Sequence, residues 1–139
     1  MVSYAVNGGT KKERKIVEDA FLFALKELMP RKKNLDVEFT IRKFDEDADG
    51  WHLFVDRGEH EIDIRKGLSD ADLATVVFHE VVHLKQYERG QLKDDGFVKS
   101  WNGEEYIYVF STVDEYKQFP WEEEAYRVQE EMYTKWIQI

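Results

Sequence analysis

Apolar and polar residues alternate first over residues 35–42, and this pattern predicts a half-buried β-strand. Two further strands are predicted at 51–55 and at about 60–65, because clusters of turn residues separate the three runs. Consecutive strands joined by short turns are typical of hairpins. We therefore expect a short antiparallel meander, with strand 60–65 at its edge and directly before the next helix.

Helical periodicity, with apolar residues three and four positions apart, marks residues 11–29 and 69–89. Pro30 ends the first helix and Gly90 ends the second. An N-terminal helix, a short sheet and a second helix, in that order, indicate an α+β fold class.

The segment after the second helix predicts a hairpin and a last helix. Strands at 97–101 and 104–110 flank Asn102-Gly103, a dipeptide that favours the type I′ turn. A C-terminal helix over 120–135 begins with proline, and acidic residues follow in its first turn.

Length and composition limit the possible functions. The chain has 139 residues, of which 42% are hydrophobic, so we expect residues 1–139 to form a single domain. It has no cysteine, and any metal must therefore be held by His, Asp or Glu. The net charge of −9 argues against general affinity for nucleic acid. The sequence shows no signal-peptide pattern and no membrane-span pattern, so we expect a cytoplasmic protein without a membrane partner.

The most informative stretch is His79-Glu80-Val81-Val82-His83, which has the spacing H-E-x-x-H. Residues i and i+4 of a helix lie on the same face, so His79 and His83 can bind one metal ion. Glu80 would point into the same site and act as general base on water. Zinc suits such donors, and manganese, cobalt and iron remain alternatives. A catalytic zinc site usually has a third protein ligand.

The third ligand is expected on the C-terminal helix. Its first turn contains Glu122, Glu123 and Glu124, and the small Ala125 that follows allows two helices to approach closely. Glu122 and Glu124 both flank the apolar stripe of this helix. The residue pattern alone therefore leaves either of them open as the ligand.

These motifs resemble those of the zincin metallopeptidases, specifically the gluzincin type and small zincin-like domains of bacteria and phages, with a more distant similarity to SprT-like proteins. The resemblance covers about residues 60–130 and rests on His79, Glu80 and His83. Glu122 in an E-x-x-A pattern and Gln86, three residues after His83, add to it. It implies a minimal zincin-like fold, a Zn²⁺ cofactor held by His79, His83 and Glu122, and hydrolysis of peptide bonds with Glu80 as general base.

Tyr126 departs from the family pattern, because many gluzincins carry Asp or Asn at this position to support the ligand. The departure leaves open a non-catalytic, zinc-stabilised protein-binding module with a zincin-like fold. In the metallopeptidase interpretation, an extended peptide would pair with the edge strand above the site. We expect a monomer whose partner is a peptide or protein substrate.

Overall fold

The computed structural model describes residues 1–139 and has the expected α+β fold class, with seven strands and four helices. In chain order the elements are β1 (Val2–Gly8), α1 (Lys11–Leu28), β2 (Leu35–Arg42), β3 (Gly50–Asp56), β4 (Glu59–Arg65), α2 (Asp70–Glu88), β5 (Leu92–Asp95), β6 (Val98–Trp101), β7 (Glu104–Ile107), α3 (Val113–Lys117) and α4 (Pro120–Trp136).

The main sheet is mixed, and the expected antiparallel meander is wrong. Its strand order is β1-β2-β4-β3, in which β1 and β4 both pair with β2 in parallel. Only β3 and β4 form an antiparallel hairpin. The inward side chains of β2 and β4 are buried, whereas the inward residues of β3, namely Gly50, His52 and Phe54, are only half-buried. β3 and β1 are therefore the two edge strands, and 60–65, expected at the edge, lies inside the sheet.

Strand β1 precedes the helix that was expected to come first. It pairs in parallel with β2 along its whole length, and α1 makes the crossover between the two strands. Its inward residues Val2, Tyr4 and Val6 are only half-buried, so the alternation in this segment is weak. The short elements β5 and α3 also lacked a clear sequence pattern, because they contain a single buried residue between them.

Helices α1 and α2 pack on the inner face of the main sheet, and α4 packs on α2. Thr10 and Glu13 form a capping box at the start of α1, and Ser69 caps α2 by accepting from Asp72 N–H. The core lies between the sheet and these helices, and Phe21, Phe39, Ile62, Leu73 and Phe78 are among its fully buried members. No helix combines the length and the apolar character needed to cross a membrane.

Strands β5, β6 and β7 form a separate antiparallel sheet beside the end of α2. The predicted turn is present, with φ of 50° at Asn102 and 86° at Gly103. A polar cluster attaches this sheet to α2, because Tyr87 Oη donates to Asp94 at 2.7 Å and Lys99 Nζ lies 2.9 Å from Asp94 Oδ1.

Candidate metal centre

His79, His83 and Glu122 meet between α2 and α4, and all three side chains are buried. Nε2 of His79 and Nε2 of His83 are 3.2 Å apart. Oε1 of Glu122 lies 3.1 Å from the first nitrogen and 3.2 Å from the second. Three potential ligand atoms therefore converge on one point, and the group could bind a metal ion.

Two glutamine side chains orient the imidazole rings. The carbonyl oxygen of Gln129 lies 2.7 Å from Nδ1 of His79, and that of Gln86 lies 2.8 Å from Nδ1 of His83. A carbonyl oxygen can only accept, so each Nδ1 carries a proton and donates it. Each Nε2 then faces the centre as the potential metal ligand. In metal sites, the groups that hydrogen-bond to a ligand histidine orient its ring in this way.

The electrostatics of the centre are those of a buried ion pair. Burial alone would lower the pKa of His83, but the charge of Glu122 and the hydrogen bond to it raise that pKa to about 9. Burial opposes ionisation of Glu122 too, yet the two histidines hold the pKa of its carboxyl well below the usual range. In the metal-free protein, the positive charge of protonated His83 therefore balances the negative charge of Glu122, which a bound cation would otherwise balance.

Glu80 lies beside this centre on α2 and is buried as well. Burial raises the pKa of its carboxyl, although the charges of His79 and His83 act in the opposite direction. Gly50, the first residue of β3, runs unusually close to it. A Cβ on Gly50 would lie 2.8 Å from Val76 Cγ1 and 3.3 Å from Glu80 Oε1. The φ of Gly50 is not positive, so glycine serves here to allow the close approach rather than an unusual backbone conformation.

Three tyrosines surround the centre. The ring of Tyr126 packs edge-on against His79 with the centroids 4.6 Å apart, so it supports the imidazole by contact. Burial and the nearby charge of Glu122 raise the pKa of Tyr116, and they raise that of Tyr108 to about 12. Both phenols therefore keep their protons at neutral pH and remain hydrogen-bond donors.

The other two histidines form a separate buried chain. His60 Nε2 donates to Glu88 at 2.7 Å, and His60 Nδ1 then accepts from Nε2 of His52 at 2.8 Å. Glu88 also accepts from the Gly58 N–H and forms an ion pair with Lys32. This chain connects β3 and β4 to the end of α2, and neither histidine joins the metal centre.

The structure brings together the residues that the motif and the family resemblance indicated, namely His79, Glu80, His83 and Glu122. Glu124, the other candidate ligand, instead accepts a hydrogen bond from Nε2 of Gln86 at 3.1 Å. Gln129 was missed by the sequence reasoning, although Glu122 and Gln129 are seven residues apart and so share a face of α4. Comparisons of the chain with protein-family models, with curated proteins and with solved structures found no match.

Proposed function

We propose that this protein is a zincin-like, zinc-dependent metallopeptidase. The observation that carries the proposal is the position of Glu80. Its carboxyl is adjacent in sequence to a ligand histidine, has a pKa raised by burial, and borders the start of a sheet edge. A carboxyl with a raised pKa beside a metal centre is suited to general-base chemistry near neutral pH.

The donor set supports zinc as the metal. Two imidazole nitrogens and one carboxylate oxygen are a common set of protein ligands for catalytic zinc, and the chain has no thiolate to offer. When bound, zinc would supply a Lewis acid that makes water more acidic and polarises a carbonyl oxygen.

The residues of the chain would then act as follows. Glu80 takes a proton from the attacking water and returns it to the amine that leaves. Tyr108, which keeps its proton, would donate a hydrogen bond to the oxygen on which charge develops, whereas the Tyr116 hydroxyl is hydrogen-bonded to Glu122. Glu122 fixes α4 against α2, and Gln86 and Gln129 keep the two imidazoles in the tautomer that binding requires.

A peptide would bind along β3, not along the strand expected from the sequence. Asp49 O accepts from Arg65 N–H at 2.8 Å, so the backbone groups of alternate residues point towards β4. Those of Gly50, His52 and Phe54 point away from β4, and β3 has no other neighbour in the sheet. An extended peptide that paired with these groups would pass Glu80 at Gly50.

Glu80→Gln tests the mechanism, because it removes the base and keeps the shape of the side chain. Proton transfer by a positioned group contributes about 10²–10⁴-fold, so we expect kcat to fall roughly a thousandfold. Zinc content should stay at the wild-type value. The assay is cleavage of a quenched-fluorescence peptide library, with zinc measured by elemental mass spectrometry. Glu123→Gln, which changes an exposed carboxylate of α4, is the matched control and should leave both quantities unchanged.

The second candidate is a protein-binding module in which zinc has only a structural role. It is favoured by the fact that the metal ligands lie on two different helices, so that a bound ion would cross-link α2 and α4. This alternative predicts that chelation unfolds the domain and that no peptide in the library is cut. Full activity in Glu80→Gln would contradict the proposed mechanism.

A further inference from the structure

The outer face of edge strand β3 is apolar, unlike the rest of that face of the sheet. Three side chains of β3 point outward and are each about half exposed, namely Trp51 (50%), Leu53 (57%) and Val55 (49%). Directly beside them on β4, Trp51 is paired with Asp63 and Leu53 with Glu61. Solvent-facing strands are normally polar, and exposed edges are normally protected by charge. We call these three residues the β3 stripe.

The β3 stripe belongs to the strand whose free backbone groups begin beside Glu80. Gly50 lies against that carboxylate, and the stripe follows immediately at every second residue. Any chain that pairs with β3 must place alternate side chains on the same open face, next to the stripe. A chain that pairs with the edge of β3 would therefore also lie beside the proposed catalytic centre.

The charge around the β3 edge indicates which kind of chain could pair with it. Several acidic side chains near the β3 stripe have no salt-bridge partner, namely Glu59 and Glu61 on β4 and Asp45 and Asp47 in the turn that precedes β3. A second copy of this chain, which carries a net charge of −9, would bring like charges together. A positively charged segment would instead be attracted to this edge.

We infer that the substrate is an extended, cationic peptide segment with apolar side chains at alternate positions, which lie on the β3 stripe. The inference rests on the proposed peptidase function and adds its specificity. Apolar residues at every second position gain contact with Leu53 and Val55, and flanking Lys or Arg residues lie near the acidic turn and β4. The peptide side chains that point to the inner face of the sheet do not need to be apolar.

The test uses Leu53→Thr/Val55→Thr, because threonine suits a strand and removes the apolar surface. Trp51 is left in place because its indole N–H donates to Glu46 at 2.7 Å and holds the acidic turn. The probe is a quenched-fluorescence peptide of alternating valine and serine that ends in three lysines. We expect kcat/KM on this peptide to fall about tenfold in the double variant, with unchanged zinc content. Cleavage of an all-serine analogue, also ending in three lysines, should not change.

Ile107→Thr is the matched control, because Ile107 is 72% exposed but lies on β7 of the other sheet. It should leave kcat/KM for the valine–serine peptide at the wild-type value. Replacing the three lysines of the peptide by glutamates should lower kcat/KM about tenfold at low salt, and added salt should reduce the difference. Equal cleavage of the valine and serine peptides by the wild type would overturn the inference.

Binding without cleavage separates this inference from the proposed function. Fluorescence anisotropy with Glu80→Gln reports binding of the labelled valine–serine peptide whether or not the wild type cuts it. Binding that is lost when Leu53→Thr/Val55→Thr is added supports the docking site even if no hydrolysis is found, in which case only the peptidase proposal fails. A wild-type dimer in sedimentation that the double variant dissociates would overturn the inference in favour of a second copy.

Discussion

At the scale of single residues, the geometry of the candidate metal centre depends on side chains outside its three potential ligands. Gln86 and Gln129 fix the protonated nitrogen of each histidine, and Tyr126 packs on His79 where an acidic partner was expected from the family pattern. Many gluzincins support a metal ligand with Asp or Asn at the position of Tyr126. Here the side-chain amide of Gln129, one turn further along α4, supports His79 instead.

Gln129→Ala tests this support directly. The substitution removes the acceptor of the His79 Nδ1–H and leaves all three proposed ligands in place. Substituting a residue that hydrogen-bonds to a metal ligand typically lowers metal affinity 10–100-fold, and we expect about tenfold here because Gln129 is only half-buried. The measurement is competition for zinc with chelators of graded affinity. Gln138→Ala, at an exposed position beyond α4, is the control, and equal affinities for zinc in the two variants would contradict the assigned role.

At the scale of elements, the periodicity of apolar residues predicted the bounds of helices and strands well, but it predicted the pairing of the strands poorly. The bounds of β2, α2 and α4 follow from strong alternation, caps and proline, which act within a few residues. The order of the strands depends instead on which inner faces can be fully buried, a property of the assembled core. The hairpin rule therefore identified the β3–β4 connection but misplaced β2 and the edge of the sheet.

The same limit applies to the site. The H-E-x-x-H spacing identified His79, Glu80 and His83 because one helix determines their geometry. The third potential ligand lies on another helix, 43 residues after His79, so only the packing of α4 on α2 distinguishes Glu122 from Glu124. The β3 stripe does not follow from the sequence pattern, because a meander with 60–65 at its edge makes 51–55 an inner strand.

At the scale of the whole molecule, the histidines make stability depend on pH in two directions. The pKa of His83 is raised to about 9 in the metal-free fold, so its stabilisation is present below its unfolded pKa of about 6.5 and is lost as pH rises through 9. Burial lowers the pKa of His52 and His60, so the stability associated with their neutral forms is present above about 6.5 and is lost as pH falls.

We therefore expect the free energy of unfolding of the metal-free protein, measured by urea titration, to be highest near pH 6.5. It should fall on either side by at most about 1.4 kcal/mol per pH unit for each proton involved. Zinc should remove the alkaline decrease, because a bound cation keeps His83 neutral. Glu122→Gln should remove it in the metal-free protein as well, and an unchanged alkaline decrease in that variant would contradict the ion-pair assignment.

The central claim is that His79, His83 and Glu122 hold one metal ion, and zinc stoichiometry tests it most directly. The wild type, Glu122→Ala and Glu124→Ala are purified in parallel, saturated with zinc, desalted and analysed by elemental mass spectrometry against protein concentration. We predict about one zinc per chain in the wild type and in Glu124→Ala, and almost none in Glu122→Ala. Equal zinc content in the two variants, or a wild type that takes up no zinc, would contradict the account.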